Sequence, residues 1–292
     1  MKTSRSRAAM LVAASVCLTT VVGCGSSDST EKTVATVVVT ETAATTSSTK
    51  APAPTAKLVA SFDAMAKGLS APVGLALVPV GGGEAITLGD QTPRVAWSTS
   101  KVPLAIAAER AGGQTAAEEN AIVNSDNAAA ETLWASLGTP TQAAAAVTSV
   151  LREGGDKATT VPSARLRPEF SIFGQTRWAL GDAATFAAGL PCMKGTKHVL
   201  SLMESVAGNQ QWGLKAIEGR TSAVKGGWGP TAGSGYLVRQ LGVLTLRDGR
   251  RVGVAMSSQT AAGSMETGAA ALSAVGQWMS KHLAALPAGR CR

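Results

Sequence analysis

The sequence predicts a mixed α/β (α+β) domain: an antiparallel sheet flanked by terminal helices, with a helical lobe inserted between its two groups of strands. Three observations carry this prediction. Strand-like apolar stretches cluster near positions 71–89 and again at 222–259, helical apolar spacing fills the interval between them, and a further helical segment stands at each end. Two strand groups so separated meet most simply in one sheet, which brings residues near 98 and residues near 225 to opposite edges of one cleft.

The chain starts with Lys2, Arg5 and Arg7 and continues with an apolar stretch from Ala8 to Val22, the layout of an export signal. That stretch is shorter than the ~20 apolar residues a comfortable membrane span needs. It ends in Val21-Val22-Gly23-Cys24, which fits a bacterial lipobox, where the cysteine is diacylated and becomes the first mature residue. The expectation is a signal peptide over residues 1–23 and a lipid on Cys24, with the protein anchored to the cell membrane on its extracytoplasmic face. An ordinary cleaved signal and a transmembrane anchor are the alternatives. Residues 24–55 are rich in Ser, Thr, Ala and Pro, have no aromatic residue, and read as a tether unable to bury enough surface to order itself.

Residues 56–292 remain, about 237 residues, a normal size for one α/β domain. Leu58, Val59, Phe62 and Met65 have helical spacing over 56–69; "APVGLALVPV" and "EAITLG" flank Gly81-Gly82-Gly83 as a hairpin. From 102 to 108 the apolar residues run nearly all round, which predicts a buried helix. Residues 115–137, 140–152, 176–190 and 194–207 read as further helices. Three strands follow between 222 and 259, the last two joined at Asp248-Gly249, and then an amphipathic helix from about Glu266 to Leu283.

Composition excludes more than it selects. The net charge of +8 falls to +5 without the three basic leader residues, a mild excess that suits an anionic wall or carboxylate substrates. No basic block is interleaved with aromatics, so no nucleic-acid partner is expected. The only histidines, His198 and His282, show no ligand spacing; no metal site is read, and a Ser-His-Asp triad is disfavoured. Cys192 and Cys291 are the two thiols of the exported body. An even pair in an oxidising compartment is most simply a disulfide, with two free buried thiols as the alternative.

Three short motifs carry chemistry. Ser98-Thr99-Ser100-Lys101 opens the buried helix, with Lys101 one turn after Ser98 on the same side. Alone it reads as a helix cap. Ser125-Asp126-Asn127 interrupts the apolar run "AIVNSDNAAAETLW", and Lys225-Gly226-Gly227 closes a strand.

Together and in this order, the three resemble the serine β-lactamase and penicillin-binding-protein family, related to class A β-lactamases, over nearly all of residues 56–292. The resemblance implies a β-lactamase/transpeptidase-like fold and a serine hydrolase, β-lactamase or DD-peptidase-like, that needs no cofactor. Its partner would be a β-lactam or a peptidoglycan-derived peptide. Ser98 would be the nucleophile, Lys101 its base, and Ser125 and Lys225 the proton relay, with burial and the Lys225 charge together lowering the Lys101 pKa. Asn127, Gly227 and Trp228 would bind substrate, with the N–H groups of Ser98 and Trp228 as the oxyanion hole. The alternative is a catalytically degenerate lipoprotein of the same fold with a cell-wall binding or organising role.

The sequence departs from the family pattern in three places. Only 27 residues separate Ser98 from Ser125, roughly half the class A interval, so the inserted lobe is expected to be reduced. Gly226 replaces a hydroxyl residue that helps hold the substrate carboxylate. Glu169, in "RLRPEFSIFGQTRW", stands too close to the next helix for the usual water-activating glutamate, and pairing with Arg167 or Arg165 is the plainer expectation.

Overall fold

The computed structural model describes residues 53–292 apart from Ser234; the expected signal peptide, Cys24 and the tether up to residue 52 lie outside the described residues. The first helix, α1 (Ala53–Ala66), starts three residues before the expected domain boundary and leads into the hairpin β1 (Val73–Pro79) and β2 (Ile86–Gly89). After the two-residue strand β3 (Arg94–Val95), a 3-10 turn over Trp97–Ser100 runs directly into α2 (Lys101–Gly112). The lobe continues with α3 (Ala116–Val123), α4 (Asn127–Ser136) and α5 (Pro140–Glu153). A loop returns through β4 (Arg177–Trp178), paired with β3, to α6 (Leu180–Gly189) and α7 (Lys197–Glu204). Strands β5 (Thr221–Pro230), β6 (Tyr236–Thr245) and β7 (Arg251–Thr260) and helix α8 (Met265–Lys281) complete the chain.

The five long strands form one antiparallel sheet in the order β2-β1-β7-β6-β5, so the two strand groups join through β1 and β7. Alternation along the strands divides the interior between the two faces. Val73, Leu75 and Leu77 of β1 and Val252, Val254 and Met256 of β7 share one core with α1 and α8, where Phe62 meets Trp278 edge-on at 5.2 Å. Ala76, Val78 and Ala255 face a second core formed with α6 and the helical lobe. No helix among the described residues is long and apolar enough to cross a membrane.

The expected helix over 115–137 is two helices. α3 stops at Val123, Ser125 takes a left-handed φ of 58°, and Asp126 starts α4 by accepting the Ala129 N–H at 2.6 Å. The apolar pattern runs through this break because both helices bury the same side, against α2. The expected helices at 176–190 and 194–207 are shorter, since Arg177 and Trp178 pair with β3 and α7 spans only Lys197–Glu204. Cys192 and Cys291 form a disulfide, with Cα atoms 5.4 Å apart, that ties the end of the chain to the turn after α6.

Candidate active site

Ser98 owes its position to two close approaches. The 3-10 turn that carries it rests on the edge strand β5 so tightly that a Cβ at Gly227 would lie 2.9 Å from the Ala96 carbonyl and from the Ser98 and Thr99 nitrogens. Beneath, the buried Arg239 donates to the carbonyls of Arg94 at 2.8 Å and Val95 at 3.3 Å, fixing the segment that enters the turn. Trp97 holds a φ of 49°, and together with Ser125 it is one of two non-glycine residues with positive φ among those described. Both sit at the site, where the surrounding packing holds a conformation that is locally unfavourable.

Lys101 is fully buried, and its ammonium donates to the Ser125 carbonyl at 2.6 Å, the Asp126 carbonyl at 3.1 Å and the Asn127 Oδ1 at 2.8 Å. Those contacts match its three N–H groups. The Ser98 hydroxyl makes no hydrogen bond to any described residue, and it opens into a cavity of about 280 Å³ shared with Asn127, Glu131, Glu169 and Phe170. Opposite, Lys225, also fully buried, donates to the Ser125 Oγ at 2.9 Å, the Gln210 Oε1 at 2.5 Å and the Gly226 carbonyl at 3.0 Å. The structure thus brings Ser98, Lys101, Ser125, Asn127, Lys225 and Gly227 together.

Burial pushes Lys101 down to about 8, against the pull of Asp126 and Glu131. Lys225 lies well below its usual value, first through burial and then through the charge of Lys101. Burial thus dominates the lowering at both lysines, as one half of the expectation had it for Lys101, and the like charge of the pair adds to it at Lys225. The sequence could not show this for Lys225, because nothing local says that its side chain is enclosed.

Gln210 is the residue that the sequence reading missed. Its carbonyl accepts from Lys225 and from the Gly226 N–H at 2.9 Å, while its amide donates to the carbonyls of Ile122 and Val123. It therefore joins β5 to the end of α3. With the Gly226 N–H turned outward from β6, strand alternation turns the Trp228 N–H, two residues on, to the same open side, beside the 3-10 turn. Gly226 also has a packing reason. A Cβ there would lie 2.8 Å from the Trp212 ring and 3.1 Å from that of Trp228, so two tryptophans occupy the space a hydroxyl residue would need.

Glu169 lines the cavity but is exposed and paired with Arg167 at 3.0 Å, and that guanidinium adds to the backbone contact that lowers its pKa. Glu131, a second cavity carboxylate not singled out in the sequence, lies 3.7 Å from Arg165.

No protein-family model and no curated protein sequence matches the chain. Solved structures do. A β-lactamase from Chitinophaga pinensis superposes with a TM-score of 0.63 at 15% identity, over 78% of this chain and 99% of its own. The TLA-1 extended-spectrum β-lactamase gives 0.62 at 14%, over 78% and 99%, and PBP-A gives 0.60 at 18%, over 79% and 97%. The domain has the fold of the serine β-lactamases and of PBP-A, a β-lactamase/penicillin-binding-protein-like fold.

Proposed function

We propose that the domain is a serine acyl-transfer hydrolase that takes a β-lactam or a wall-peptide amide through an acyl-enzyme on Ser98. The observation that carries the reading is an unpartnered Ser98 hydroxyl at the cavity, beside two buried lysines that converge on Ser125. A variant of PBP-A, 18% identical, has been solved as an acyl-enzyme complex with penicillin G, which supports a β-lactam as partner.

As an ammonium, Lys101 has one N–H for each of its three oxygens; as an amine it has two, so one contact is released and a lone pair becomes available. In that form it accepts the Ser98 proton while Oγ bonds to the substrate carbonyl carbon. The N–H groups of Ser98 and Trp228 hold the developing oxyanion. The C–N bond then breaks, and the proton reaches the departing nitrogen through the Ser125 hydroxyl, which Lys225 fixes in place. The Asn127 Oδ1 accepts from Lys101, which leaves the amide hydrogens for a substrate carbonyl.

Release of the acyl group needs an activated water. With Glu169 held by Arg167 and Glu131 facing Arg165, neither cavity carboxylate is left unpaired to activate it, so hydrolysis of the acyl-enzyme is slow.

A second reading is a catalytically silent domain with a binding or organising role at the wall. It is favoured by the absence of a Lys101 to Ser98 hydrogen bond and by the tryptophans packed at Gly226. One experiment separates the two: intact mass followed over time with penicillin, wild type beside Ser98→Ala. A covalent adduct confined to wild type supports the enzyme; no adduct on a folded wild type supports the silent domain.

We also infer that residues 1–23 are a lipoprotein signal and that Cys24 carries the anchor on the extracytoplasmic face. Loss of fatty-acid labelling in Cys24→Ala is the expected result; retained labelling overturns it.

A further inference from the structure

The sequence reading expected no metal, because the two histidines lack ligand spacing. Three residues distant in sequence nevertheless meet inside the helical lobe. Glu109 near the end of α2, Glu118 in the first turn of α3 and His198 at the start of α7 bring their ligand atoms within 4.8 Å of one another. Among the described residues, five of the eight buried side-chain polar atoms without a hydrogen-bond partner belong to this cluster: Glu109 Oε2, both Glu118 oxygens and both His198 ring nitrogens.

Such concentration is unusual, since buried polar groups are nearly always paired. Glu118 is 1% exposed. It stands in a Thr115-x-x-Glu118 pattern whose Thr115 hydroxyl accepts the Glu118 N–H at 3.2 Å, but the reciprocal half of that capping box does not close. The Thr115 N–H is near enough to favour the carboxylate without making a hydrogen bond of proper geometry. Glu109 is oriented by Gln114, which donates to its Oε1 at 3.2 Å and leaves Oε2 toward the cluster. No lysine or arginine forms an ion pair with either carboxylate among the described residues.

We propose that Glu109, Glu118 and His198 form a binding site for a divalent transition-metal cation of the zinc type, which staples α2, α3 and α7 together. Two carboxylate oxygens and one imidazole nitrogen are a donor set that suits zinc and leaves a coordination position for water. Ligands of a tetrahedral zinc at ~2.1 Å stand ~3.4 Å apart, so side-chain rotations of about an ångström close the observed 4.8 Å spread. Burial, then the hydrogen bond and charge of the facing Glu109 carboxyl, push Glu118 up to about 8. The site is separate from Ser98. Glu109 lies eight residues beyond Lys101, about 12 Å along α2 at the helical rise.

The test uses the untagged full chain, stripped with a chelator and titrated with zinc alone by calorimetry and thermal melting. Wild type is expected to bind one ion and to gain in Tm, with both effects lost in Glu118→Gln and in His198→Ala. No heat and no Tm shift in wild type up to about 100 µM zinc overturns the site, as does unchanged binding in the two variants. Zinc-edge X-ray absorption of loaded wild type needs no variant. It is expected to report nitrogen and oxygen neighbours only, and sulfur neighbours would assign the ion to Cys17 or Cys24 and overturn the proposal.

Discussion

Lys225 Nζ and Ser125 Oγ lie 2.9 Å apart although 100 residues separate them, and Lys101 reaches the carbonyl of that same serine at 2.6 Å. One residue is thus held by its backbone from α2 and by its side chain from β5. The proposed chemistry turns on which lysine carries the proton.

That question has a direct readout. Lys101 acts as a base only when neutral, and its pKa is lowered to about 8, so the neutral fraction grows as pH rises toward that value. The rate of Ser98 acylation by penicillin is expected to climb with pH and level off above about 8, measured by rapid-quench mass spectrometry. A rate that is flat from pH 6 to 9 would remove Lys101 from the role of base.

Gly227→Ala is expected to separate the 3-10 turn from β5, because the three nearest neighbours of the added methyl are backbone atoms and cannot rotate away. Overpacking of this kind costs about 1–3 kcal/mol. A displacement near 1 Å of the nucleophile lowers acylation by roughly 10²-fold. Urea unfolding and adduct formation should both register the change.

Gln210→Ala strands the Gly226 N–H and the Ile122 carbonyl, leaves Val123 with only its bond from the Ala207 N–H, and removes an acceptor from Lys225. A loss of about 2–3 kcal/mol in urea unfolding is expected. A variant as stable as wild type would mean that this glutamine does not join strand to lobe.

Glu169→Gln should leave the lifetime of the Ser98 adduct unchanged within about twofold, since the carboxylate is exposed and held by Arg167. A marked lengthening in the mass-decay curve would show that Glu169 activates the deacylating water after all.

Reduction of Cys192–Cys291, or Cys291→Ser, is expected to lower stability by about 2–4 kcal/mol by freeing the end of the chain. The adduct on Ser98 should still form, because the disulfide stands outside the cavity. A melt with and without reductant, paired with intact mass, checks both halves.

The order of elements was legible from the sequence because apolar spacing is local: the hairpin at 73–89, the buried helix after Lys101 and the three C-terminal strands all follow it. Ser98, Lys101, Ser125 and Lys225 were legible as three short motifs. What stayed hidden depends on contacts between distant residues. Ser125-Asp126-Asn127 shows in the sequence as an interruption of the apolar run, but the two lysines that reach it from 24 and 100 residues away do not. Gln210 lies in the polar stretch "AGNQQWG" and acquires meaning only through Lys225 and α3. The cluster of Glu109, Glu118 and His198 draws on three helices and has no spacing to read.

The double hold on Ser125 makes the site a gauge of registry between lobe and sheet. Its backbone answers to one lysine and its hydroxyl to the other, so a sideways drift of the lobe cannot relax one contact without disturbing its counterpart. Small misalignments would then surface as a failure of proton delivery well before the domain loses its fold.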